Sequence, residues 1–244
     1  MINEETIKQL MDMKLYGMDA SFRDYLEQTE KDELTFEERF GMMVDREWTE
    51  RQERRMKYRL SRAKLREQAC VEDINYRHPR KLDRSVMQRL VAGQWIAEHE
   101  NVIFTGPTGV GKTWLACALT NKACREGHTA LYVRVPRLLQ DLYVAHADGT
   151  YPKVMDRLAK PEVMILDDFG LAPLSDTERR DLLEVIEDRQ GRRSTIITSQ
   201  LSVKHWHEII GEPTIADAIL DRLVSSSHRI DMNGKSLRQK RKSK

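Results

Sequence analysis

Gly106-Pro107-Thr108-Gly109-Val110-Gly111-Lys112-Thr113 combines the glycine spacing, lysine and hydroxyl of a loop that cradles phosphate groups. Glycines suit the task because backbone amides must turn inward around phosphate oxygens without side chains intervening. Lys112 can reach the β- and γ-phosphates of a nucleotide, Thr113 can ligate Mg²⁺, and Trp114 opens the helix whose amino terminus favours an anion. Downstream, Val163-Met164-Ile165-Leu166 ends in Asp167-Asp168. An acidic pair at a strand end is often only a turn former. After a phosphate loop it reads differently: Asp167 holds Mg²⁺, directly or through water, and Asp168 orients or deprotonates the water that attacks the γ-phosphate. The expected cofactors are therefore ATP and Mg²⁺.

Two further positions fit the same chemistry. The β-branched run 194–200, STIITSQ, ends in hydroxyls and an amide, so Thr198, Ser199 or Gln200 can hydrogen-bond the attacking water, and Gln200 is the preferred candidate. Arg222 lies on an amphipathic stretch after that run, from which it can reach the γ-phosphate of a neighbouring subunit. Arg229 and Arg189 are the alternatives. A salt bridge with a nearby aspartate is the plain reading of Arg222.

Elements that alternate in type must position these residues. Strands are expected at Val102–Thr105, Ala130–Val135, Val163–Leu166, Thr195–Thr198 and His228–Met232. Helices are expected at 112–126, 137–147, 176–190 and, in two pieces, 203–224. Such alternation means an α/β domain built on a parallel sheet. Gly127 and Gly191 stand where helix C-caps are wanted. The first 80 or so residues read as helical. Ile7, Leu10, Met11 and Met18 recur at helical spacing, with Gly17 weakening the run. Thr35 and Glu38 fit a capping box, opening a helix with Phe36, Phe40, Met43 and Trp48 on one side that continues to about Arg66. The segment 74–85, with Pro79, argues against regular structure. Ser85 and Gln88 fit a second capping box, ahead of a helix carrying Val86, Leu90, Trp95 and Ile96. The division expected is 1–68 helical, DNA- or partner-binding; 69–84 linker; 85–234 nucleotide-binding; 235–244 basic tail.

Charge is unevenly placed. The 244 residues carry a net +2, yet residues 1–50 hold 14 acidic against 6 basic side chains, and residues 51–66 hold 8 basic against 1 acidic. Those eight, Arg51, Arg54, Arg55, Lys57, Arg59, Arg62, Lys64 and Arg66, suggest sequence-independent contacts to a DNA backbone. The tail 235–244 adds 6 basic residues and no acid. Aromatics are few, which excludes a base-stacking platform. No run of about 18 apolar residues offers a membrane span. Cys70, Cys117 and Cys124 lack metal-ligand spacing, with Cys117 and Cys124 expected to pack. The amino terminus lacks a secretory pattern, so a cytoplasmic setting is expected. The histidines form no zinc pattern. Trp206 is expected to pack between two histidines that point apart, and His78 to belong to a structured linker.

With these elements in order, the chain resembles the IstB/DnaC group of AAA+ ATPases, and within it IstB, the helper ATPase encoded beside a transposase. The likeness rests on FEERFGMMVDREW (36–48), ACVEDINYRHPRKLDRS (69–85), FTGPTGVGKTWLACAL (104–119), LDDFGLAPL (166–174), RRDLLEVIEDRQGRRSTIITSQL (179–201), DAILDRLV (217–224) and HRIDMNGKS (228–236). It implies an AAA+ P-loop core with a five-stranded sheet of order 5-1-4-3-2, a small helical domain before it and no helical lid after it. It also implies ATP-dependent self-assembly on duplex DNA and assistance to a cognate transposase. A replicative helicase loader of the DnaC type is the alternative. Lys112 and Thr113 match the group's Walker A motif, and Asp167 and Asp168 its Walker B motif. Gln200 falls at the sensor position, where the group often has asparagine, and Arg222 at the arginine finger.

Overall fold

The computed structural model describes residues 2–27 and 34–237. The basic residues from 238 onward lie outside the described residues. Two compact units emerge, residues 1–58 and 59–244.

The first unit holds α1 (Ile2–Asp12), α2 (Tyr16–Glu27) and most of α3 (Phe36–Ala63). The expected capping box is present: the Thr35 amide donates to Glu38 at 2.8 Å and the Glu38 amide to the Thr35 hydroxyl at 3.3 Å. Gly17 does not weaken a helix end as the sequence suggested. It lies inside α2 and marks a helix crossing, since a Cβ there would stand 2.6 Å from the Glu47 Cα. The break falls earlier, at Lys14, whose φ is +59°. The basic helix ends sooner than expected, at Ala63, because Lys64 adopts φ +51°. Lys64 and Arg66 therefore lie beyond it, and the basic run is shared between the two units.

In the second unit, α4 (Arg84–Val91) and α5 (Gln94–Ala97) precede the sheet. The helix expected from Ser85 starts one residue earlier, with Asp83 as its cap: the Asp83 carboxylate accepts from the Ser85 and Val86 amides. Asp83 stands two residues before Ser85, and its short carboxylate reaches the orphan amides directly. Gly93, at φ +83°, separates α4 from α5. Strands β1 (Asn101–Thr105), β2 (Ala130–Arg134), β3 (Val163–Phe169), β4 (Ser194–Ser199) and β5 (Ser227–Asp231) form a parallel sheet of order β2-β3-β4-β1-β5. This is the order the resemblance implied, read from the other edge. Helices α6 (Lys112–Arg125), α7 (Val135–Asp148), α8 (Tyr151–Ala159), α9 (Asp176–Arg189), α10 (Trp206–Ile210) and α11 (Pro213–Val224) connect the strands. The short helix α8 follows a Gly-Thr pair and carries Pro152 in its first turn, where the missing amide costs nothing.

β1, β3 and β4 are buried along nearly their whole length because helices cover both faces of the sheet. Side chains alternate between two cores. Val102, Phe104, Ile165 and Ile196 pack with Leu115 and Leu119 of α6 and with Trp95. Ile103, Leu166 and Ile197 pack with Leu142, Leu182, Trp206 and Ile219 on the other side. The covered sheet is rigid, and its carboxyl ends present the loops that carry the site. Among the described residues, no helix is long and apolar enough to cross a membrane.

Candidate nucleotide site

The loop after β1 turns on Gly106, Gly109 and Gly111, all at positive φ (+133°, +87° and +98°). Close approach also requires glycine at two of them: a Cβ on Gly106 would meet the Met232 carbonyl oxygen at 2.1 Å, and one on Gly109 the Ser236 hydroxyl at 2.1 Å. The carbonyls of Gly106 and Pro107 accept from the Lys112 ammonium at 2.7 and 3.0 Å. Lys112 opens α6 and is only 8% exposed. Val110 is buried, and its carbonyl accepts from Arg80 Nη1 at 3.1 Å. Arg80 is itself buried without a carboxylate partner among the described residues, and burial lowers its pKa. The linker is thus pinned to the phosphate loop by a side chain whose cost of desolvation fits a structural strut. His78 sits in the same linker with a buried, unpartnered Nδ1.

Asp167 is fully buried at the end of β3. Its Oδ1 accepts from the Thr113 hydroxyl at 2.7 Å and the Thr198 hydroxyl at 2.5 Å, and its Oδ2 from the Tyr132 hydroxyl at 2.6 Å. Burial, and then the Asp167 carboxylate, push the Tyr132 phenol upward, so Tyr132 stays a donor. Thr113 and Asp167 bring two hard oxygens together at a loop built for phosphates, a donor set that fits Mg²⁺. On a regular strand the next residue would face away. Asp168 instead adopts φ +61°, and the β3–β4 register shifts between Leu166 and Phe169. The distortion turns both aspartates to one side, a backbone strain of the kind kept at functional positions.

Arg134, at the end of β2, donates to Asp168 Oδ2 through Nε at 3.0 Å and Nη2 at 2.8 Å. Arg66 Nη1 lies 3.6 Å from Asp167 Oδ2. Hydrogen bonding to Tyr132 raises the Arg66 pKa, with a smaller contribution from the aspartates. Sequence reasoning missed Arg134 and Tyr132 as site residues, and it gave Arg66 to DNA. The register that sets Arg134 opposite Asp167 is the signal for the first two; Arg66 gave none, because it closes a run that holds 8 basic side chains. Gln200 Oε1 accepts from the Thr108 hydroxyl at 2.8 Å, which places it over the loop. A cavity of about 520 Å³ is lined by Thr108, Lys112, Thr113, Trp114, Asp168 and Gln200, with Arg66 and Arg134. Its volume suits a nucleotide.

Arg222 is elsewhere. Its Nη2 is 2.8 Å from Glu187 Oε1, its Nη1 donates to the Ala218 carbonyl, and its own carbonyl accepts from Asn101 at the start of β1. The phosphate loop follows the other end of that strand, about 17 Å away at the usual rise. Any contact of Arg222 with a γ-phosphate therefore belongs to another copy. Arg189 is not available for that role: it is 2% exposed and donates to the carbonyls of Leu158, Pro161 and Ser194 and to the Thr195 hydroxyl. Burial pushes it down to about 9. Arg229 is exposed on β5.

Of the basic run, Arg51 and Arg54 pair with Glu47, Lys57 with Glu53, and Arg59 donates to the Cys124 carbonyl. Among the described residues, Arg55, Arg62 and Lys64 have no ion-pair or hydrogen-bond partner. Cys117 and Cys124 pack as expected, and burial pushes both thiols up to about 11, which keeps them unreactive. Trp206 packs against Phe169 with ring centroids 4.4 Å apart.

The family model described as IstB-like ATP binding protein matches residues 8–244. The chain is 51% identical over 245 residues to the insertion sequence ATP-binding protein y4pL of Sinorhizobium fredii, covering all of both chains. It is 33% identical over 232 residues to the IS21 ATP-binding protein of Pseudomonas aeruginosa, covering 95% of this chain and 88% of that one. In fold it is similar to DnaI (TM-score 0.58, 23% identity, 68% of this chain and 91% of that one) and to the DnaC helicase loader (0.52, 23%, 61% and 86%). With the glycine loop, the Thr113–Asp167 pair and the strand order all in place, the chain belongs to the IstB-like ATP-binding protein family and is an ATPase.

Proposed function

We propose that this ATPase serves an insertion sequence: it binds Mg²⁺ with ATP, assembles as a homo-oligomer on duplex DNA in the cytoplasm, and assists a cognate transposase. The observation that carries the reading is the hydrogen bond from Thr113 to the buried Asp167 beside a glycine loop, in a chain whose relatives belong to insertion sequences. When bound, Mg²⁺ would be held by Thr113 and Asp167 and would neutralise charge on the phosphates. Lys112, now spent on loop carbonyls, exchanges them for phosphate oxygens. Asp168 orients the attacking water once Arg134 releases it, with Gln200 as a second contact. Arg222 acts in trans. Its present partner, Glu187, is 46% exposed and easily exchanged for a neighbour's phosphate.

Residues 1–68 supply DNA and partner contacts, 69–84 link, 85–234 hydrolyse, and 235–244 form a basic tail. Arg62 and Lys64, unpaired within the described residues, are the first DNA contacts to test. ATP hydrolysis and sedimentation, measured with and without duplex DNA for wild type and Lys112→Ala, test the reading. Assembly that needs ATP and DNA together, and that the variant loses, supports it. Equal turnover by a monomer regardless of DNA contradicts it.

A further inference from the structure

The chain leaves β5 and at once crosses the loop that follows β1. The Met232 amide donates to the Thr105 carbonyl at 2.8 Å, the Asn233 amide to the Arg80 carbonyl at 3.1 Å, and the Leu237 amide to the Gly109 carbonyl at 2.9 Å. Gly234 makes the crossing possible: its φ is +128°, and a Cβ there would run into the Pro79 carbonyl oxygen. The three glycines of the phosphate loop are crowded by this same segment, Gly106 by the Met232 carbonyl, Gly109 by Ser236, and Gly111 by Leu237 Cδ1 together with Arg80. Residues 232–237 and the loop are fitted to each other.

The fit has a consequence for the backbone. A trans peptide sets its C=O and its N–H on opposite sides. The Gly109 carbonyl is held by Leu237, and the Val110 carbonyl by Arg80 Nη1 at 3.1 Å. The Val110 and Gly111 amides therefore face away from those two donors, and successive amides aimed alike make an anion nest. Strand order tells which end of a nucleotide meets the segment. Asp167 and Asp168 lie at the end of β3 and Gln200 follows β4, all on one side of β1, so they mark the γ-phosphate end. β5 lies on the other side of β1, and the nucleoside extends toward it. There Leu237 lines the cavity beside Asp73, Asn75 and Arg80, as the apolar member of that group.

We propose that residues 232–237 form the nucleoside end of the ATP site: the Leu237 side chain packs against base and ribose, and its amide keeps the Gly109 peptide turned for phosphate. This rests on ATP occupying the loop, and the two can fail separately. Isothermal titration of the full chain with Mg²⁺ and ATP, and with Mg²⁺ and inorganic tripolyphosphate, which lacks a nucleoside, tests it. Leu237→Ala should weaken ATP binding about tenfold and raise KM to match, with kcat within about twofold and tripolyphosphate affinity within about threefold of wild type. Leu237→Met should stay within about threefold of wild type for both ligands. Leu237→Pro, which removes the amide donor, should weaken both ligands about tenfold or more. Melting temperatures, unchanged in Leu237→Ala and Leu237→Met, separate these effects from unfolding. Equal losses of ATP and tripolyphosphate in Leu237→Ala would overturn the nucleoside contact, and unchanged affinities in all three variants would overturn the whole proposal. A wild type that takes up neither ligand would overturn the phosphate loop itself, and this proposal with it.

Discussion

The two units of this chain use apolar residues in opposite ways. In residues 59–244 the sheet strands are covered on both faces, and Phe104, Ile165, Leu166 and Ile197 are almost wholly buried. Among the described residues of 1–58 the well-buried side chains are Asp19 and Glu47, while Phe36, Met42 and Trp48 stand in solvent. The second unit is held by its own apolar core, whereas the helical unit keeps Phe36, Met42 and Trp48 outside any core among the described residues.

The largest expected effect falls on the site that the rigid core supports. Lys112→Ala should reduce ATP hydrolysis about a hundredfold or more with the melting temperature little changed, as steady-state turnover will show. Asp168→Asn should cost a similar factor in turnover while ATP binding persists; loss of both together would make Asp168 a binding residue instead. Phe104→Ala should lower the stability of the core by about 3–5 kcal/mol in denaturant titration. Phe40→Ala, half exposed in the helical unit, should change monomer stability by less than about 0.5 kcal/mol. Comparable losses at both positions would erase the contrast between the units. The smallest effect is local: Thr35→Ala should cost α3 about 1 kcal/mol through the lost cap, seen as faster amide exchange in its first turn.

The core was legible because its signals are local and redundant. Apolar runs bounded by helices announce a covered sheet, and the glycine loop lies between β1 and α6, where its chemistry needs it. The aspartate pair was legible for the same reason. What escaped depends on long-range register. Nothing adjacent to Arg134 or Tyr132 says that β2 lies beside β3, and Arg66 is hidden in a run of like residues. Arg189 looked like a mobile cation and is a buried strut, since the carbonyls that hold it come from 158, 161 and 194. The helix from residue 84 was placed correctly but capped by the wrong residue, because Asp83 and Ser85 are both good caps and only the turn geometry chooses between them. Helix α8 was hidden by a proline and glycine that mark its start rather than a loop.

The central claim is that the glycine loop after β1 captures the phosphates of ATP while Thr113 and Asp167 supply oxygens to magnesium. Isothermal titration of ATP into the purified chain, with and without Mg²⁺, tests it most directly. Saturable uptake that strengthens with Mg²⁺ and disappears in Lys112→Ala is the predicted result. Absence of binding, or binding indifferent to both the metal and Lys112, would contradict it.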